Sequence, residues 1–271
     1  MYKVLIIGAG KQGAFCDIKG SGCEHKVISH AKAFKMHGGF ELLGFYDTDI
    51  EVARRAAIEW ETGWFNDLEE AIIAGADIIS ICTPDETHYD ILNEVYKYNP
   101  QLVLCEKPIA TNLRQAVEIV ARYETGNIPI LVNYTRRFIP ELQLLKERIE
   151  KGEFGNFLYG WGGFNRGWYH TATHMVDFVL WLLGDTDNFK IREIKNAGYR
   201  IFQIHLFFKR LYWKMKSGET VDPMFNLHTW YVVNNIYNHL RRDEPLLCTG
   251  RDALRALSIC EELKNGRQAG T

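Results

Sequence analysis

The chain has 271 residues, 46% hydrophobic and 24% charged, which excludes a disordered polymer and supplies apolar material for one large or two moderate domains. Lys and Arg number 32 against 34 Asp and Glu, a formal charge of -2, so no general attraction to nucleic acid or to an anionic membrane is expected. Cysteines 16, 23, 82, 105, 248 and 260 form no Cys-x-x-Cys pair, and no apolar run suits a signal peptide or a membrane span; a soluble protein of a reducing cytoplasm is expected.

Along the first half, short continuous apolar runs at 4–7, 42–46, 78–82, 102–106 and 130–133 suit strands buried on both faces of a parallel sheet. Helical patterns separate them at 50–60, 68–74, 88–97 and 113–123. Asn66, three residues before Glu69, reads as a capping box, and Thr111 or Asn112 as the cap of the helix after it. Repeated βα units predict a doubly wound sheet, which binds ligands outside the carboxyl ends of its strands. Beyond Asn133 the pattern changes. Residues 141–151 read as a helix, 157–164 as a Gly- and aromatic-rich strand, and 174–183 as an apolar helix ended by Gly184. Residues 189–216 alternate like antiparallel strands, with Phe202, Ile204, Leu206 and Phe208 on one face. Helices at 227–242 and 253–264 close the chain, the second with Thr249 and Asp252 as its capping pair. The expected architecture is α/β: a doubly wound domain over 1–133, then a smaller, mostly antiparallel α+β domain over 134–271.

Gly8-Ala9-Gly10-Lys11-Gln12-Gly13 follows the first strand directly. Gly8 permits the tight turn, Gly10 lets a pyrophosphate approach the backbone, and Gly13 lets the next helix pack on the strand. The N-terminus of that helix, through Lys11 and Gln12, supplies N–H groups for phosphates. Asp47, at the end of the second strand, fits the carboxylate that hydrogen-bonds the adenosine ribose. It lies farther from the glycines than the usual spacing of about 20 residues, an excess assigned to a surface insertion around 17–25. An aspartate there repels a 2′-phosphate and favours NAD over NADP.

Cys105-Glu106-Lys107-Pro108 closes the fifth strand, where a nicotinamide would lie; a lysine there can stabilise charge developing on a substrate oxygen. Joined with the glycine loop, these residues resemble the glucose-fructose oxidoreductase / inositol dehydrogenase / MocA (Gfo/Idh/MocA) family. Ile81-Cys82-Thr83-Pro84 with His88, residues 133–138, and His174-Met175-Val176-Asp177 with Trp181-Leu182-Leu183-Gly184 extend the likeness over roughly residues 1–184.

The resemblance implies a Rossmann domain and NAD(P)-dependent oxidation or reduction at a sugar, nucleotide-sugar or cyclitol carbon. Lys107 would bind the reacting oxygen and His174 would act as general acid/base. Cys82, Thr83, Pro84, His88 and Glu106 would line the nicotinamide side. The segment before Asp47 looks like that of a subgroup associated with polysaccharide biosynthesis.

His170, His174 and Asp177 share one helical face at i, i+4 and i+7; many relatives carry an aspartate where His170 stands. His170, Asp177 and Arg137 are the candidates for contact with substrate, Asp177 also reading as a structural residue that orients its neighbours. The same trio suits two imidazoles and a carboxylate around a metal, although the family chemistry calls for none and none is expected. The C-terminal sheet is the expected surface of a homo-oligomer. A second reading, a dinucleotide-binding sensor without turnover, would keep the glycine loop and Asp47 but leave Lys107 and His174 too far apart for chemistry.

Overall fold

A computed structural model describes residues 1–163, 167–184, 203–208, 212–216 and 227–268; for 161–163, 203–208, 212–216 and 266–268 it describes backbone alone. Six parallel strands form the main sheet: β1 (Tyr2–Ile7), β2 (Phe40–Tyr46), β3 (Gly63–Trp64), β4 (Ile78–Ile81), β5 (Leu102–Cys105) and β6 (Ile130–Val132), in the order β3-β2-β1-β4-β5-β6. β1, β4, β5 and β6 consist almost wholly of Val, Ile and Leu. Helices on both faces bury them, and each such side chain withdrawn from water contributes about 1.5–3 kcal/mol.

Register decides what the sheet presents. Ile7 pairs with Tyr46 on one side and Ile81 on the other; Ile81 pairs with Cys105, and Cys105 with Val132. The strands therefore end level. The residues that follow them, Asp47, Gly8, Cys82, Glu106 and Asn133, form one row along the carboxyl edge.

Helices α1 (His30–His37), α2 (Ile50–Trp60), α3 (Leu68–Ile73), α4 (His88–Tyr96) and α5 (Leu113–Thr125) link the strands. Asn112 caps α5 through Arg114 and Gln115 N–H, whereas α3 is capped by Asp67, not by the expected Asn66. Asp67 is the residue directly before the helix, so its carboxylate reaches the Glu69 and Glu70 amides. Two elements lack a clear pattern in the sequence: α1, capped by Ser29 and ended by left-handed Gly38, and the exposed two-residue edge β3.

After β6 come α6 (Pro140–Glu150), β7 (Phe157–Gly163), α7 (Thr173–Leu183), β8 (Gln203–Phe208) and β9 (Tyr212–Lys216), the last two joining β7 in an antiparallel sheet. The expectations for 189–202 and 209–211, and for the apolar face of β8, lie outside the described residues or side chains. Helices α8 (His228–Arg242) and α9 (Gly250–Gln268) return to the first sheet, and Thr249 meets Asp252 through both its N–H and its hydroxyl. Val232, Val233, Ile236, Cys248, Ala253 and Leu257 are continuous with the core of the parallel sheet. Val132 N–H donates to Cys248 O at 3.1 Å, tying the end of β6 to the loop before α9. Among the described residues no helix is long and apolar enough to cross a membrane.

Candidate active site

The glycine loop divides its labour as steric arguments require. Gly8 is left-handed at φ +93°, and a Cβ on it would lie 2.7 Å from the backbone of Cys82 and Thr83. A Cβ on Gly13 would lie 2.0 Å from Gly8 O. Gly10 has nothing within 4 Å of that position, so there the backbone is open to a ligand, as a pyrophosphate requires. Asp47 closes the loop from the next strand: its carboxylate accepts from Ala9 N–H at 2.8 Å and Asp49 N–H at 3.0 Å.

The helix expected after the loop is cut short. Lys11–Phe15 makes one wide turn, with Ala14 N–H on Gly10 O, and the regular helix resumes only at His30. The intervening segment is pinned by Asp17, whose buried carboxylate accepts from Ile28 N–H, Ser29 N–H and the Ser29 hydroxyl. This insertion accounts for the long spacing between the glycines and Asp47. Gln12, expected at the cofactor, donates to Ile28 O of the same segment, while Lys11 is exposed.

Across the row, Cys82 and Thr83 are half-buried and Pro84 is exposed; Thr83 Oγ1 accepts from the Thr87 hydroxyl. His88 is fully buried, with Nδ1 2.6 Å from Pro108 O and Nε2 2.9 Å from Thr83 O. Both ring nitrogens are thereby engaged. His88 fastens the turn after β4 to the turn after β5.

Glu106 stands over a buried polar cluster that sequence reading missed. His30, 0% exposed, has Nε2 3.0 Å from Glu106 Oε1 and Nδ1 2.7 Å from Ser80 Oγ. Asn133 Nδ2 donates to the same Glu106 oxygen at 2.6 Å. Burial opposes a charge on His30, but the Cys82 sulfur and Glu106 carboxylate outweigh it and raise the imidazole to about 10. Burial likewise opposes the Glu106 charge, and His30, Lys107 and Asn133 outweigh it, holding the carboxyl at about 2. The sequence signal was a histidine capped by Ser29 and set among small apolar residues.

Lys107 is buried to 9% exposure and precedes a cis bond to Pro108. Its Nζ donates to His170 O at 3.1 Å and lies 3.3 Å from His170 Nδ1. That same Nδ1 is 2.9 Å from Asp85 Oδ2, beyond β4. His170, on a wide turn before α7, thus bridges two loops of the sheet edge. His174, one turn further, is half-buried under the Tyr134 ring, and Arg136 Nη1 is 3.2 Å from its Nδ1. Burial first, then the charges of Arg136, Lys107 and His170, push His174 well below its ordinary range. It is a neutral imidazole near neutral pH.

The structure separates the rest of the expected trio. Asp177 is 1% exposed and takes Arg137 side-on, with Nε at 3.1 Å from both oxygens and Nη2 at 2.7 Å. Arg137 Nη1 also donates to Asp252 at 3.0 Å and to Leu247 O. Arg137 and Asp177 form a buried brace joining α7 to α9. Of two adjacent arginines, Arg136 is the one at the histidine. His228, at the start of α8, was also missed; burial and Arg136 push it down to about 4, which places it in the same electropositive neighbourhood.

Comparison with known proteins gives three findings. Residues 2–134 match the family described as GFO_IDH_MocA, oxidoreductase family, NAD-binding Rossmann fold. Inositol 2-dehydrogenase 4 of Saccharopolyspora erythraea is 26% identical over 197 residues, covering 68% of this chain and 54% of that protein. The chain spans about half the length of that relative and 43% of the rhizopine catabolism protein MocA of Rhizobium meliloti, which it matches at 29% identity over 45% of its own length. Among solved structures, the WlbA dehydrogenase from Bordetella pertussis in complex with NADH and UDP-GlcNAcA superposes with a TM-score of 0.76 at 18% identity, covering 100% of this chain and 96% of that one. A myo-inositol dehydrogenase from Corynebacterium glutamicum gives 0.75 at 16% identity, covering 100% and 97%. At such identities the superpositions establish a shared fold.

Proposed function

The chain belongs, through residues 2–134, to the Gfo/Idh/MocA family of NAD-binding oxidoreductases, and on that premise we propose that it is an NAD-dependent dehydrogenase or reductase acting on a CH–OH carbon of a sugar, nucleotide sugar or cyclitol. One observation carries the reading: Lys107, in the row of strand ends beside the glycine loop, reaches His170 on the turn that leads into His174, and its charge bears on the His174 ring. A sensor without turnover gains no support from that convergence.

NAD, when bound, supplies the hydride acceptor. The open face at Gly10 would receive the pyrophosphate, Asp47 the adenosine ribose, and Thr83, Cys82 and Glu106 the nicotinamide side. Asp47 disfavours a 2′-phosphate. Lys107 and His174 flank the reacting oxygen and stabilise charge on it in a site partly closed to water. His170 and Asp85 hold the Lys107 side chain across the mouth. Self-association through the β7–β9 sheet belongs to the same reading, supported by the exposed Phe157, Leu158 and Tyr159. So does a reducing cytoplasm, supported by Cys16, Cys23, Cys82, Cys105, Cys248 and Cys260 as free thiols.

The test is calorimetric titration with NAD, followed by a panel of sugars, nucleotide sugars and cyclitols read by NADH absorbance. Turnover confined to one class identifies the substrate. Absent NAD binding would sink the proposal, and binding without turnover on any class would leave the sensor.

A further inference from the structure

We infer that Arg136 fixes the proton of His174 on Nε2, so that His174 meets the reacting oxygen as a hydrogen-bond donor and the hydroxyl proton goes to Lys107. This rests on the dehydrogenase reading for its chemistry but not for its test.

A guanidinium carries five N–H donors and no acceptor, and it stays charged near neutrality. With Arg136 Nη1 3.2 Å from His174 Nδ1, that nitrogen is satisfied only as an acceptor, without a proton. A neutral imidazole holds one N–H, which then sits on Nε2. Protonating both nitrogens would set N–H against N–H. The titratable and charged groups around the ring make that worse. Arg136 and Tyr134 face it from the segment after β6, Lys107 from the turn after β5, and His170 from one turn earlier on its own segment. The nearby carboxylates are committed elsewhere, Asp177 to Arg137 and Asp85 to His170. The low pKa of His174 agrees with this arrangement.

A general base must bring a lone pair to the hydroxyl. On His174 one nitrogen's lone pair faces Arg136 and the other nitrogen bears hydrogen. Lys107 is the remaining basic group of the flanking pair. In the oxidising direction the Lys107 ammonium first gives up one proton to water, and the substrate O–H bond then breaks with its proton passing to the Nζ amine so formed. The C–H electron pair leaves as hydride to oxidised nicotinamide, and a C=O bond forms. The new carbonyl oxygen then lies between two donors, His174 Nε2–H and the Lys107 ammonium. Reduction runs the same transfers backwards. Arg136 is thus a positioning residue, acting through His174.

The experiment is a long-range ¹H–¹⁵N correlation spectrum of the full chain labelled at histidine, with the His174 signals assigned by their loss in His174→Gln. Wild type should show Nδ1 in the unprotonated range and Nε2 in the protonated range, unchanged between about pH 6 and about pH 8. Arg136→Lys, which keeps a charged donor, should preserve that signature, and Arg136→Met should move it toward a tautomer mixture. A wild-type spectrum with the proton on Nδ1, or an Arg136→Met spectrum identical to wild type, would overturn the inference. Should Arg136→Met fail to fold, the wild-type and Arg136→Lys spectra decide. With an accepted substrate, His174→Gln replaces one donor to the reacting oxygen and should lower kcat, but it should leave the pH profile, which Lys107 sets, in place. A pH profile that shifts or loses its basic limb in His174→Gln would return the general-base role to His174. Failure of the whole substrate panel would count against the dehydrogenase reading and leave the spectrum to judge Arg136.

Discussion

Nε2 of His30 lies 3.0 Å from Oε1 of Glu106, although the two residues stand 76 positions apart in the chain. The contact joins α1 to the residue immediately before Lys107. It gives the turn that carries Lys107 a buried ionic foundation.

Removing His30 should therefore cost more than a cavity. His30→Ala leaves the Glu106 carboxylate buried with Asn133 as its remaining side-chain donor, and loss of one partner of a buried pair costs about 3–5 kcal/mol. The pH dependence follows from linkage. The His30 value is raised from 6.5 to about 10, so its stabilising share is fully present below about 6.5 and fades as pH climbs through about 10. The Glu106 value is lowered from 4.5 to about 2, so its share is present above 4.5 and fades as pH falls through about 2. Denaturant unfolding at a series of pH values should show the alkaline decline in wild type and lose it in His30→Ala. An unchanged alkaline limb would refute the pairing.

The three loop glycines should fail differently. Gly13→Ala drives a methyl to 2.0 Å from a backbone oxygen and Gly8→Ala adds a left-handed strain; each should lower stability by about 3 kcal/mol or abolish folding. Gly10→Ala has φ -72° and open space, so its melting temperature should match wild type. What it should lose is NAD affinity, by tenfold or more, because the methyl occupies the ligand's side. Calorimetry on the free protein and on an NAD titration separates the two effects.

Lys107→Ala should depress kcat by about 10²–10⁴-fold with NAD affinity changed only a few-fold. Equal losses in both would make the lysine a cofactor or folding residue. Asp47→Ala should do the reverse, weakening NAD about tenfold and relaxing discrimination against NADP, since both the ribose acceptor and the charge that repels a 2′-phosphate are gone. Dissociation constants for the two nucleotides are the readout.

The Arg137–Asp177 brace makes a contrasting case. Asp177→Asn leaves the Arg137 guanidinium, 6% exposed, with Asp252 as its carboxylate partner and should destabilise by about 1–3 kcal/mol, whereas the double variant Arg137→Met, Asp177→Leu should recover most of that. KM for an accepted substrate should stay near wild type in whatever fraction folds. A raised KM with unchanged stability would restore these residues to the substrate site.

The parallel sheet was legible because strands buried on both faces need uninterrupted Val, Ile and Leu, a signal that survives without any knowledge of partners. β3 left no such trace: two exposed residues on an edge carry no apolar run. The first helix was hidden because its capping serine follows a long insertion and its buried face, His30, Ala31, Ala33 and Phe34, has one large apolar residue. Sterics were readable where one residue type at one spacing does one job, as at Gly8 and Gly13. Chemistry was unreadable where partners are distant in sequence. Nothing local says that His30 goes to Glu106, that His88 staples two turns, or which of Arg136 and Arg137 faces inward. Adjacent residues in a tight turn point to different sides, and only the fold assigns the sides.

The return of α8 and α9 to the parallel sheet has a bearing on biosynthesis. A ribosome delivers the glycine loop, Asp47 and Lys107 early, yet the flank sealed by Val232, Val233, Ile236 and Leu257 stays bare until the closing stretch emerges. The parallel sheet therefore waits, one apolar flank outward, while the residues between Lys107 and Leu257 are made.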